Sequence, residues 1–164
     1  PELMQYGEGY LPNDRRHQIK AYGFLELTSE WGIGANVLLA SGRPRSCLGY
    51  EPNPGATGSP GYRNQTYYCL GTDRTKDELH TRGSIGRLPW DNRLDMSISY
   101  KPSAVKGLQF KVDIFNLLDQ QTVQNVTEGY NVRSGGRVAN NYESPISLTA
   151  PRSVKLTASY DYKF

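Results

Sequence analysis

Cys47 and Cys69 are the only cysteines in the chain. In an oxidising compartment such a pair reads as a disulfide, and closing a loop of this span contributes about 3 kcal/mol, chiefly by restricting the unfolded chain. Taken with His80, the same two residues read as a metal-binding trio, without the close ligand spacing of a structural zinc site. Two free thiols are the third reading. The disulfide is the expectation. Gly32-Ile33-Gly34 begins like a dinucleotide fingerprint, but Val37 stands where the third glycine belongs and no helical period follows. Asn64-Gln65-Thr66 and Asn125-Val126-Thr127 match the glycosylation triplet, a pattern short enough to recur by chance. No nucleophile, base and orienting group fall at a meaningful spacing. The residues therefore point to no catalytic centre, no metal and no cofactor, and the chain is expected not to be an enzyme. Arg43, Arg45, Arg63, Arg74, Lys76, Arg82 and Arg87 crowd one region. They read either as a solvated loop or as a rim that meets lipid phosphates or an anionic ligand.

The elements around these residues decide the class. The last stretch, Pro151 to Phe164, alternates strictly. Val154, Leu156, Ala158, Tyr160, Tyr162 and Phe164 share one parity, and Ser153, Lys155, Thr157, Ser159, Asp161 and Lys163 the other. Successive strand residues point to opposite faces, so this strand has one apolar and one polar face. The same pattern predicts strands over Arg15–Leu27, Trp31–Ser41, Pro89–Lys101 and Leu108–Leu118. At about 10–14 residues these exceed the usual globular strand of 5–6 and suit a tilted membrane-crossing strand of about 9–11. Thr28–Glu30 and Pro102–Gly107 are short turns. Gly42–Leu88 and Asp119–Ala150 lack any sustained period and read as long loops. Short turns on one side and long loops on the other are the habit of outer-membrane barrels. No run reaches the roughly 20 apolar residues of a membrane helix. The near-balanced net charge of +3 does not suggest a nucleic-acid binder.

With the short turns placed on the periplasmic side, Trp31, Tyr100 and Phe110 fall at one level with Tyr160, Tyr162 and Phe164, while Trp90 falls at the opposite end. These are the expected aromatic girdles. Arg93, Asp95, Lys111 and Asp113 take the inner, lumen-facing parity. Like charges directly opposite destabilise and unlike charges stabilise. The expected register therefore sets Asp95 opposite Lys111, Arg93 opposite Asp113, Leu94 opposite Val112 and Met96 opposite Phe110, rather than Asp95 opposite Asp113. Five strands do not close a barrel, whose bare edges would be costly in lipid. The 164 residues are expected to be a fragment of an outer-membrane barrel domain, with the other strands upstream.

The stretches SGRP (41–44), RGSIGRLPWDNRLDMSISY (82–100), VDIFNLLDQQ (112–121) and PRSVKLTASYDYKF (151–164) resemble the carboxy-terminal barrel end of TonB-dependent outer-membrane receptors, most closely the Oar-like subgroup. CLG and YYCLG around the two cysteines fit that subgroup too. The resemblance covers nearly the whole chain. It implies an all-β, antiparallel transmembrane barrel in which about 22 strands surround a plug, located in the bacterial outer membrane. It also implies energy-coupled uptake of a large solute. The partners implied are outer-membrane lipid and lipopolysaccharide, the TonB complex through an amino-terminal part, an unknown solute, and no nucleic acid. Leu156, Ala158, Tyr160, Tyr162 and Phe164 would form the terminal signal read by the barrel-assembly machinery. The sequence holds no match to the plug, to the TonB-contacting segment or to the amino-terminal domain of the family. A passive porin or a surface adhesion barrel is the alternative reading.

Overall fold

A computed structural model describes residues 7–49, 67–70, 77–130 and 139–162, with the backbone alone for 68–70 and 77–79. The fold is all-β, and the described residues contain no helix. The strands are β1 (Gln18–Glu26), β2 (Trp31–Ala40), β3 (Tyr68–Leu70), β4 (Asp77–Leu79), β5 (Asp91–Tyr100), β6 (Leu108–Phe115), β7 (Val123–Val126), β8 (Pro145–Leu148) and β9 (Ser153–Tyr160). The chain divides into two compact units, one of residues 17–40, 90–122 and 149–164, the other of 1–16, 41–89 and 123–148.

The first unit is an open, five-stranded antiparallel sheet in the order β1-β2-β5-β6-β9. Each long strand pairs with the next long strand in the chain. Thr28 shapes the β1–β2 turn: its Oγ1 accepts the backbone N–H groups of Glu30 (3.2 Å) and Trp31 (3.0 Å). The β5–β6 connection is wider. The N–H of Val105 reaches the carbonyl of Pro102 and that of Leu108 the carbonyl of Val105, both at 3.3 Å. Gly107 then takes φ +88°, where a Cβ would lie 2.3 Å from the Asp161 carbonyl oxygen. Only glycine enters that conformation without strain.

This turn overturns the expected β5–β6 register. The ladder closes at Tyr100↔Phe110 and runs through Ser99↔Lys111, Ile98↔Val112 and Ser97↔Asp113 to Met96↔Ile114. Asp95 therefore faces neither Lys111 nor Asp113, and Arg93 does not face Asp113. The parity holds, so no side chain changes face, but the pairs slide along the strand. Two consecutive turns and a left-handed glycine fix how much chain the connection consumes. Cross-strand charge pairs, at roughly 0.2–1 kcal/mol each, do not outweigh that geometry. The charges pair along their own strands instead: Lys111 with Asp113 at 2.7 Å and Arg93 with Asp91 at 3.1 Å.

The strands are also shorter than the alternation suggested. β6 stops at Phe115 because Asn116 (φ 51°) and Asp119 (φ 53°) turn left-handed. Asn116 is an inserted residue, so that the N–H of Leu117 reaches the carbonyl of Leu94 at 2.7 Å. An extra residue on one strand is the signature of a bulge. The buried Asn116 amide then donates to the carbonyls of Ala150 (2.8 Å) and Gln120 (3.1 Å). The Asp119 carboxylate accepts the backbone N–H of Arg152 at 2.8 Å. The NLLDQ stretch thus ties the end of β6 to the start of β9.

The second unit contains what read as loops. β3 pairs with β4, and β7 with β8 through shifted register. Strands of three and four residues are too short to show a period of two. The SGRP and RGSIGRLPW stretches lie against each other. The Arg45 N–H donates to Gly86 (2.9 Å), the Leu88 N–H to Arg43 (3.0 Å), and the Gly83 N–H to Ser46 Oγ (2.9 Å). The small core of this unit gathers Pro44, Cys47, Leu88 and Val126.

Candidate functional site

The registers of the sheet line up one apolar face across all five strands. One row runs Leu25, Ile33, Ile98, Val112, Leu156, and the next runs Gly23, Ala35, Met96, Ile114, Val154. Rows of Ala21, Val37, Leu94 and of Ile19, Leu39, Asn92 continue across the first three strands. At the short-turn end, Trp31, Tyr100, Phe110 and Ala158 form a row, with Tyr160 opposite Leu108 beside it. The rings of Trp31 and Tyr100 lie 4.5 Å apart. Trp90 sits at the far end of β5, stacked on His17 with 6.2 Å between centroids. The four expected girdle aromatics thus divide three and one between the two ends of the strands.

This face is bare. Leu156 is 75% exposed, Val154 60%, Leu25 60% and Ile19 57%. Soluble proteins seldom leave a contiguous apolar surface of this extent uncovered. The opposite face carries Lys20, Arg93, Asp95, Ser97, Ser99, Lys111, Asp113, Lys155 and Thr157, so the four expected lumen charges share it. Tyr22 and Phe24, which alternation sets on the same side as Lys20, share that polar face, and so does Phe115. Of the expected assembly strand, Leu156, Ala158 and Tyr160 lie in β9 and Tyr162 follows it. Phe164 lies outside the described residues.

The arginines of the second unit have internal partners. Arg43 pairs with Glu128 at 2.8 Å and also donates to the carbonyls of Gln124 and Pro44. Arg45 pairs with Glu143 at 2.5 Å and reaches the carbonyl of Ile85. Arg87 pairs with Asp14 and donates to the carbonyls of Asp14 and Gly42. Arg82 donates to the carbonyl of Gly9. Arg43, Arg45 and Arg87 thereby hold distant chain segments together, and Arg82 adds a single exposed bond of 3.4 Å. The partners lie far off in sequence, which is why no spacing announced them. Arg63, Arg74 and Lys76 lie outside the described residues.

Three other groups show the local electrostatics. The Arg16 guanidinium, hydrogen-bonded to Tyr10, lowers that phenol below its ordinary range. Burial, reinforced by Glu143, pushes Tyr142 up to about 12. Hydrogen bonds from the Ser103 hydroxyl and backbone N–H lower Glu30. Cys47 is buried, and among the described residues no cysteine is free. Cys69 lies in β3, whose side chains are outside the described residues. The described residues contain no cluster of metal-ligating side chains, and none of their helices crosses a membrane because they form none.

Comparison with curated proteins meets the resemblance read from the motifs. The chain is similar to the TonB-dependent transporter Oar of Myxococcus xanthus, at 27% identity over 199 aligned positions that take in 98% of this chain. It spans 17% of the length of that relative. No family model matches the chain, and no solved structure does.

Proposed function

We propose that this chain forms part of the wall of an outer-membrane β-barrel transporter that takes up a large solute with energy coupled through TonB. The observation that carries the reading is the apolar face, continuous by register across five strands and bordered by a row of aromatic residues at the short-turn end. Water offers no reason to keep such a face bare, whereas lipid does. On this reading Leu25, Ile33, Ile98, Val112 and Leu156 face acyl chains, and Arg93, Asp95, Lys111 and Asp113 face the interior. Lipid and lipopolysaccharide meet the apolar face, and β9 is offered to the barrel-assembly machinery. The likeness to a TonB-dependent transporter supports the class of function. The Cys47–Cys69 disulfide belongs to the same reading, supported by the burial of Cys47 and by an oxidising compartment.

Spin labels on single cysteines in the parent protein, folded in liposomes, test the faces. A label at position 156 should be relaxed by oxygen from the lipid, and one at position 155 by a water-soluble nickel complex. Equal access of the nickel complex to both positions would remove the basis of the proposal.

A further inference from the structure

The polar face of the sheet contains a groove whose floor includes Gly34. Phe24 of β1 leans over β2, where a Cβ on Gly32 would fall 2.5 Å from the Phe24 ring and one on Gly34 2.5 Å from Ser97 Oγ. The glycine at 32 gives room to the Phe24 ring, and with no side chain at Gly34 the floor of the groove is low. A groove of about 290 Å³ opens between Phe24 and Phe115, with Asn36, Asp95, Ser97 and Asp113 between them.

Two carboxylates line this groove, and they are answered differently. Asp113 has Lys111 at 2.7 Å and Lys155 opposite it in the ladder. Asp95 receives the side-chain amide of Asn36 at 3.3 Å and the backbone N–H of Asn116 at 2.9 Å, both neutral donors. Among the described residues, the ion pairs on this face, Arg93–Asp91 and Lys111–Asp113, leave Asp95 out. An ionised carboxylate offers about four acceptor positions, so Asp95 keeps capacity for a charged donor. The aromatic residues at the two ends of the groove are both well exposed. Aromatic faces attract cations within about 6 Å. A guanidinium suits both demands, because it is planar, stacks on rings and donates in parallel to a carboxylate.

We infer that this groove is a subsite for a guanidinium group, with Asp95 accepting its N–H donors and Phe24 and Phe115 flanking it. The inference rests on reading this face as the inner wall of the barrel. There the group arrives either on a solute or on a neighbouring segment of the parent polypeptide, and the chemistry is the same.

The parent protein, folded in detergent micelles with 4-fluorophenylalanine in place of Phe115, provides the test. Titration with N-acetyl-arginine amide should move the fluorine resonance saturably. The neutral isostere N-acetyl-citrulline amide, and the variant Asp95→Asn with the arginine amide, should each weaken the response by at least about tenfold. A groove already filled by an arginine of the parent would ignore the amide. A benzophenone photo-cross-linker at position 115 would then capture an arginine-containing peptide of that parent. Equal responses to arginine and citrulline amides would overturn the inference, as would no response with no arginine-containing cross-link. Heat-modifiable migration and outer-membrane fractionation report separately on the barrel, so a folded barrel indifferent to arginine would sink the subsite alone.

Discussion

The backbone N–H of Asn116 donates to Oδ1 of Asp95 at 2.9 Å, across from one strand to its neighbour, at the point where β6 ends. Asn116 is 4% exposed, and its own amide holds the carbonyls of Gln120 and Ala150. One residue therefore stops a strand, anchors the return to β9 and fixes a carboxylate on the polar face.

Asn116→Ala should destabilise the sheet by about 1–3 kcal/mol, since two part-buried carbonyls lose their donor and alanine tolerates φ 51° less well than asparagine. Urea titration of the folded parent in micelles measures it. A variant as stable as the native protein would show that the Asn116 side chain is dispensable.

How much of this was legible in the sequence depends on range. The alternation of β5 and β9 fixes their faces, because a period of two is written residue by residue. The register is not written there. It follows from the two turns over Pro102–Leu108 and the left-handed Gly107. Charge pairing was the wrong arbiter, as Lys111 satisfies Asp113 from its own strand. The arginine pins of the second unit were invisible for another reason. Arg43 reaches Glu128 and Arg45 reaches Glu143, 85 and 98 residues on. Such pairs exist only once the chain has folded. Alternation in the fourth long strand breaks over Phe115, Asn116 and Leu117, but nothing in that pattern says that a left-handed Asn116 makes the break.

Gly42 of the SGRP stretch is a second point of tight tolerance. A Cβ there would come within 1.7 Å of the Leu88 carbonyl oxygen, a backbone atom that cannot swing aside. Gly42→Ala should cost more than about 2 kcal/mol and loosen the ladder between Arg43 and Leu88. Hydrogen exchange should show lost protection at the Leu88 and Arg45 amides. Unchanged protection at both would mean that the backbone absorbs the methyl group without effect.

Glu30 supplies a pH dependence. Its carboxylate is hydrogen-bonded by Ser103, at 2.9 Å from the backbone N–H, and the Lys101 N–H reaches the Glu30 carbonyl at 2.7 Å. The two short turns are thereby joined. The Ser103 hydroxyl and backbone N–H lower the Glu30 pKa below its ordinary value of 4.5. A depressed folded pKa contributes stability above the unfolded value, and that contribution is lost as pH falls through the folded one. Protection of the Ser103 amide should hold at neutral pH and fade below the usual carboxylate range. Glu30→Gln should be weaker at neutral pH and insensitive across that window. A Ser103 amide equally protected on both sides of it would contradict the coupling.

Peptides of the unreduced protein should link Cys47 to Cys69. Cys47 is packed in the core of its unit with Pro44 and Leu88, so a bond made there anchors β3 to that core. Replacing both cysteines by serine should cost about 3 kcal/mol, by the loop-closure argument. Recovery of two alkylatable thiols from the native protein would defeat the expectation.

The sharpest test of the apolar face uses depth. Successive rows lie about 7 Å apart, two strand residues at roughly 3.3 Å each. Ala158 is in the row of Trp31, Tyr100 and Phe110, next to the short turns. Val154 lies two rows further along β9, opposite Ile114. In water the two positions are alike, each a mostly exposed site on one strand of one sheet, and an arginine at either would be nearly neutral. In a bilayer they differ. An arginine near the midplane of a barrel's lipid face costs about 2–4 kcal/mol, falling to about 0–1 near the interface. Val154→Arg should therefore destabilise the liposome-folded parent by about 2–4 kcal/mol, and Ala158→Arg by no more than about 1. Lys155→Leu, on the opposite face between them, serves as the control for strand damage. Equal costs at 154 and 158 would show that the face does not meet a bilayer, whatever its composition, and a large cost at 158 alone would place the short turns away from the interface.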